Sequence, residues 1–208
     1  MIPIETLALF LTASVALALA PGPDNIFVLT QSALHGRKAG ILVTLGLCTG
    51  LLVHTAAVSL GVAAIFQTSA LAFNLLKIVG ALYLLYLAFQ AFRAGATQLD
   101  HEGQTKLAWQ KLYTRGIIMN ITNPKVAVFF LAFLPQFADP AIGSITVQML
   151  MFGALFIVTT LLVFGAVAWF AGFFGEWLKR SEKAQIMMNR VAGTVFTGLA
   201  LRLALSER

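Results

Sequence analysis

Apolar residues run along this chain in six long blocks, at about 4–34, 40–66, 70–92, 115–137, 146–175 and 189–206. Short clusters of charge separate them. A helix that crosses the hydrocarbon of a bilayer needs roughly 20 mostly apolar residues. The pattern therefore predicts six spanning helices. The last is the shortest, with an uncharged core from Val191 to Leu201. The longest polar stretch, about 94–114, reads as a linker between residues 1–93 and 115–208. Its Leu107, Trp109, Leu112 and Tyr113 fit a short interfacial helix or a plain loop equally well. No soluble domain fits, so residues 1–208 read as one transmembrane domain.

Two blocks are broken from within. The first carries Pro21-Gly22-Pro23-Asp24-Asn25 and the fourth Asn123-Pro124-Lys125. A proline inside a helix removes a hydrogen bond and clashes with the preceding turn, but it suits the first position of a new helix. On that reading Gly22 and Asn123 are N-caps, Pro23 and Pro124 are first residues, and Asp24 and Lys125 are second residues. At 1.5 Å of rise per residue, Asp24 lies roughly 20 Å from Arg37 and Lys125 roughly 15 Å from Arg115. Both then sit near the middle of an apolar core about 30 Å thick.

Blocks one to three echo blocks four to six. Beyond the paired breaks, Lys77-x-x-Gly80-x-x-Tyr83 in the third matches Arg190-x-x-Gly193-x-x-Phe196 in the sixth. Three spans per half is an odd number, so the halves enter the membrane from opposite sides and the repeat is inverted. The expected fold is all-α and integral to the membrane, two inverted three-helix repeats with helices 1 and 4 interrupted. Matched Gly/Pro-interrupted helices in two halves point to a transporter's binding site.

Composition supports the membrane class: 59% of the 208 residues are hydrophobic and only 11% charged, against about 25% charged in soluble domains. The net charge of +6 does not indicate nucleic acid, because the basic residues lie between apolar runs. Ten of the 14 Lys and Arg fall on one side: Arg37, Lys38, Arg93, Lys106, Lys111, Arg115, Lys179, Arg180, Lys183 and Arg190. The positive-inside rule puts those loops in the cytoplasm and both termini outside. The first block has no basic residue before it and carries Glu5, which argues for a true span rather than a cleaved signal. A single cysteine, Cys48, excludes an intrachain disulfide. No Cys/His/carboxylate cluster lies in the spans, so neither a metal nor another cofactor is expected.

An ionised residue at the bilayer centre costs at least about 2.5–3.5 kcal/mol and normally pairs or lines a wet cavity. Asp24 and Lys125 hold equivalent places with opposite signs. They are expected to approach one another and to frame a site for a zwitterion, Asp24 facing an ammonium and Lys125 a carboxylate. A static ion pair that only locks the bundle is the plain alternative. Asn25 and Asn123 are further candidates for substrate contact, although Asn25 also suits local capping. His54, amid Thr44, Thr49, Thr55 and Ser59, is a candidate proton relay with Asp24 or an ordinary buried histidine. Tyr83 reads as packing. Trp169, Phe170, Phe173, Phe174 and Trp177 read as an interfacial girdle.

The six blocks, "APGPDN" in the first, "KIVGALYLLYLAF" in the third and "NITNPKVAVFF" in the fourth together resemble the LysE/RhtB family of amino-acid exporters, across essentially the whole chain. The family's characteristic positions fall here on Pro21, Gly22, Pro23, Asn123, Pro124 and Lys125. The resemblance implies export of small amino acids or derivatives from the bacterial cytoplasm by exchange with protons, nearer the homoserine/threonine branch than the basic one. It leaves the proton carrier, the substrate-contacting side chains and the oligomeric state open, a homo-oligomer included. Other readings are a transporter or passive pore for another solute and an intramembrane enzyme. For the last, Asp24 is the one carboxylate deep in a span, and nothing positions a third partner for His54 and Ser59.

Overall fold

In a computed structural model that describes residues 2–20, 22–68, 70–95, 108–171 and 181–205, those residues form helices joined by short breaks and turns, with no strand among them. Eight helices are named here: α1 (Ile4–Leu19), α2 (Pro23–His35), α3 (Arg37–Thr68), α4 (Ala70–Arg93), α5 (Trp109–Ile121), α6 (Pro124–Val128), α7 (Ile145–Trp169) and α8 (Glu182–Leu205). The α6 helix widens into a π-turn at Phe129–Phe133 and tightens into a 3-10 turn at Leu134–Phe137, where Pro135 withholds an amide from the regular ladder.

Among the described residues, three stretches are long and apolar enough to cross a membrane: Arg37–Gly61, Asn74–Arg93 and Ile145–Trp169. Two more arise if each broken pair counts as one span: α1 with α2, whose axes differ by 61°, and α5 with the Pro124–Phe137 stretch, bent by 49°. Both breaks fall where proline and its cap predict them. The block expected as the sixth span forms a 24-residue helix, α8. It does not meet the same test of apolarity, because Asn189, Arg190 and Arg202 dilute its core. Helix α5 begins at Trp109 rather than near 115, so the polar linker is shorter than the charge pattern suggests. Leu112 is buried and the Tyr113 hydroxyl lies 2.8 Å from Thr49 Oγ1, contacts that favour continued helix over a surface loop.

The helices pair in a regular way. Helices α3 and α7 run antiparallel, with Gly40 against Ala168 and Gly153 against Thr55. Helices α4 and α8 also run antiparallel: Gly80 meets Leu203, Gly193 meets Phe92, and Asn189 donates to the carbonyls of Ala94 and Gly95. Helices α3 and α5 are parallel and nearly touch at the backbone, Gly46 facing Tyr113 and Gly116, and Gly50 facing Asn120. Small residues permit such approach in bilayers, where close packing rather than water exclusion drives association. A methyl group at Gly116 would press on the backbone of Val43, Gly46 and Leu47. Gly116→Ala is therefore expected to destabilise the bundle by about 1–3 kcal/mol, read as a lowered midpoint in detergent unfolding.

Two apolar clusters fill the interior. The larger is aromatic, built on Phe10, Phe129, Phe130, Phe133, Phe137, Phe152 and Phe156. The smaller joins Phe27, Val28, Val43, Leu47, Leu112 and Phe164. The polar centre lies between them.

Candidate functional site

The two breaks meet and complete one another. Gly22 is the extended N-cap of α2, with Pro23 first and Asp24 second in the helix. A carboxylate there is favoured by the partial positive charge of the helix start. Asn123 caps α6 in the same way, its Oδ1 accepting from the Lys125 amide at 3.0 Å. Its Nδ2 donates to Asp24 Oδ2 at 2.8 Å, so a single amide side chain closes one break and binds the other.

A lysine at a helix start has the wrong sign for the dipole. Lys125 escapes that repulsion by reaching to the far side of the first break. Its Nζ donates to Ala20 O at 3.0 Å and to Leu17 O at 3.2 Å. These are carbonyls that the ending of α1 leaves without intrahelical partners, at the negative end of that helix. Asn25 Nδ2 satisfies a third, Ala18 O, at 2.6 Å. The φ of −177° at Gly22 is ordinary extended backbone. Its lack of a side chain serves space instead, since a Cβ would stand 3.2 Å from Lys125 Nζ.

The structure thus brings Asp24, Asn123 and Lys125 together, and Asp24 and Lys125 border the same cavity. They do not form a direct ion pair: Asn123 binds the carboxylate, and the ammonium takes main-chain carbonyls. The cavity measures about 20 Å³ and is lined by Leu17, Ala18, Asp24, Asn120, Lys125, Val126, Phe156, Thr160 and Phe164. That is room for about one water and too little for an amino acid, so this conformation is closed around its centre. Asn25 does not line it and acts here on the broken backbone.

His54 touches the site indirectly. Its Nε2 lies 3.1 Å from Asn120 O and its ring stacks near Phe130. Tyr83 lies away from the cavity, beside Tyr86. Trp169 and Phe170 are exposed, as a girdle requires, and Arg37 sits over the Trp169 ring at 4.5 Å. Pro21, Phe173, Phe174 and Trp177, named from the sequence, lie outside the described residues, as do Lys106 and Leu107 of the linker. A larger apolar groove between α1 and α8, about 760 Å³ and lined by Leu11, Val15, Met187 and Val191 among others, has no charged side chain among the described residues that line it.

Sequence reasoning missed Asn120 and Thr160, both buried cavity residues. Asn120 had one visible signal, its place one turn before Asn123 in "NITNPK". Thr160 had none that set it apart from the other threonines of the spans.

Fold and centre together define a multi-pass helical membrane protein with a buried polar site at two helix breaks. The sequence matches the LysE type translocator family over residues 15–207, and the chain belongs to that family. It is 36% identical over 196 residues to a homoserine/homoserine lactone efflux protein of Salmonella typhimurium, covering 94% of both chains. An uncharacterized membrane protein of Vibrio cholerae is 33% identical, with 95% of this chain and 96% of that one covered. A leucine efflux protein of Salmonella choleraesuis is 27% identical, over 94% of this chain and 92% of its own. No solved structure matches.

Proposed function

We propose that this protein is a secondary exporter of small neutral amino acids or their derivatives, of the homoserine/threonine type, working by proton antiport in a bacterial cytoplasmic membrane and catalysing no chemical conversion. The observation that carries the reading is the cross-bracing of the two breaks by Asn123 and Lys125. Each break supplies what the other lacks, so opening the centre requires the two halves to part as units.

In this scheme the six helical segments are six spans in two inverted repeats, with both termini outside. Helix pairing supports it. An in-plane twofold axis requires spans two and five, and spans three and six, to pack antiparallel, as α3 with α7 and α4 with α8 do. The same axis makes a contact of α5 with α3 the equivalent of one of α1 with α7, and both occur. Helix α8 then crosses the membrane as the counterpart of α4.

In the proposed cycle Asp24 receives the substrate's ammonium and Lys125 its carboxylate, which displaces the carbonyls of Leu17 and Ala20. Asn123 keeps the two charges apart. A proton returns to Asp24 when the substrate leaves, with His54 as the neighbouring titratable group. The names of the homoserine and leucine efflux relatives favour a neutral side chain.

Counterflow in proteoliposomes, with radiolabelled homoserine, threonine and leucine and with or without a pH gradient, tests the reading. Saturable exchange of at least one amino acid, accelerated by the gradient, is expected. No exchange would sink the reading, and gradient-independent flux would make the protein a pore.

A further inference from the structure

We propose that Asp24 Oδ1, Asn120 Oδ1 and Thr160 Oγ1 form a monocation site, in which Asn120 and Thr160 are ligands alongside the aspartate. The proposal rests on the exporter reading and adds two residues that set what the site accepts.

All three oxygens are buried and have no hydrogen-bond partner within the protein, and all three residues border the same small cavity. Buried polar atoms are satisfied in the great majority of cases, and leaving one unpaired costs about 1–3 kcal/mol. Three around one space of water size point to a guest that all of them serve. Their chemistry is one-sided: a carboxylate oxygen, an amide oxygen and a hydroxyl oxygen. The Asp24 carboxylate has its other oxygen engaged by Asn123, which turns Oδ1 into the free acceptor.

Thr160 differs from the residue beside it in the helix. Its neighbour Thr159 donates back to Leu155 O at 2.9 Å, as Thr44 and Thr55 do to the fourth residue before them. Thr160 forgoes that local bond, at a position 3% exposed, between Phe156 and Phe164 on the same stripe of α7. Gly50 lies directly against Asn120: a Cβ there would stand 2.8 Å from Oδ1 itself and 2.7 Å from Cβ. Glycine at that point leaves the amide its place beside the cavity.

The Lys125 ammonium borders the same cavity but donates to Leu17 O and Ala20 O. The three unpartnered acceptors, with one formal negative charge in a space too small for a hydrated ion, select a monocation stripped of most of its water. The substrate's ammonium and a sodium ion share that chemistry, and the experiment separates them. The full-length protein is reconstituted, and exchange of whichever of homoserine, threonine or leucine the wild type carries is measured in sodium or choline medium. Competition by the matching 2-hydroxy acid, which lacks the ammonium, is measured beside it. Thermal unfolding of the detergent-purified protein in sodium chloride, choline chloride and added amino acid is read in parallel.

Thr160→Val and Asn120→Ala are expected to raise the half-saturating concentration of the cation about tenfold or more, with Thr160→Ser within about twofold of wild type. If the guest is the ammonium, amino-acid affinity falls while the 2-hydroxy acid competes as before, and sodium is without effect. If it is sodium, the sodium dependence of exchange and of thermal stabilisation shifts instead. Well-folded Val and Ala variants with unchanged responses to both cations would overturn the proposal. A wild type that exchanges nothing, yet is stabilised by sodium through these residues, would overturn the exporter reading and leave the site standing.

Discussion

Asp24→Asn is expected to reduce exchange at least a hundredfold while leaving the protein folded. The separation of the two effects follows from the geometry. An asparagine oxygen can still accept from Asn123 Nδ2, the 2.8 Å bond that ties the first break to the second. The substitution therefore keeps the brace and removes the charge. The carboxylate sits in the first turn of α2, where the helix start favours negative charge. Without the charge, the centre loses the group proposed to take the substrate's ammonium and the returning proton. The check is counterflow beside detergent unfolding. Exchange at the wild-type rate would remove Asp24 from the mechanism, and loss of folding would make it a structural residue.

Lys125→Ala is expected to reduce transport of amino acids at least tenfold more than transport of their amides. Two losses are combined in this variant. The carbonyls of Leu17 and Ala20 lose their donor, which weakens the closed state for every substrate. Carboxylate-bearing substrates lose their counter-charge as well. The comparison of amino acid with amide cancels the first loss and exposes the second. Equal impairment of both would confine Lys125 to bracing the first break.

Much of this arrangement is legible in the sequence, for a reason that can be stated residue by residue. Proline and glycine within an apolar run have few roles, so Gly22-Pro23 and Asn123-Pro124 announce their caps directly, and the structure has them in those positions. Ionisable residues in a span are costly, so Asp24 and Lys125 mark themselves out. What the sequence hides is which partner each takes. Opposite charges in matched positions suggest a direct pair, whereas the ends of α1 and α6 offer Lys125 carbonyls and Asp24 an amide. Asn120 and Thr160 stay hidden because a polar residue in a helix can bond its own backbone, and only the fold reveals which ones do not. The packing of α8 on α4 is equally hidden, since the hydropathy of α8 is diluted by its polar residues.

The two apolar clusters that meet at the cavity also have an electrical consequence. Dry layers of phenylalanine and aliphatic side chains on either side act as insulators in series, and the membrane field falls across them. A zwitterion carries no net charge through that field. In an exchanger of zwitterion for proton, the potential then acts on the proton alone, at about 2.3 kcal/mol per 100 mV, roughly a fiftyfold gradient of amino acid. On the proposed exchange, hydrating one layer leaves the whole potential across the other, so coupling fails only if both layers conduct at once.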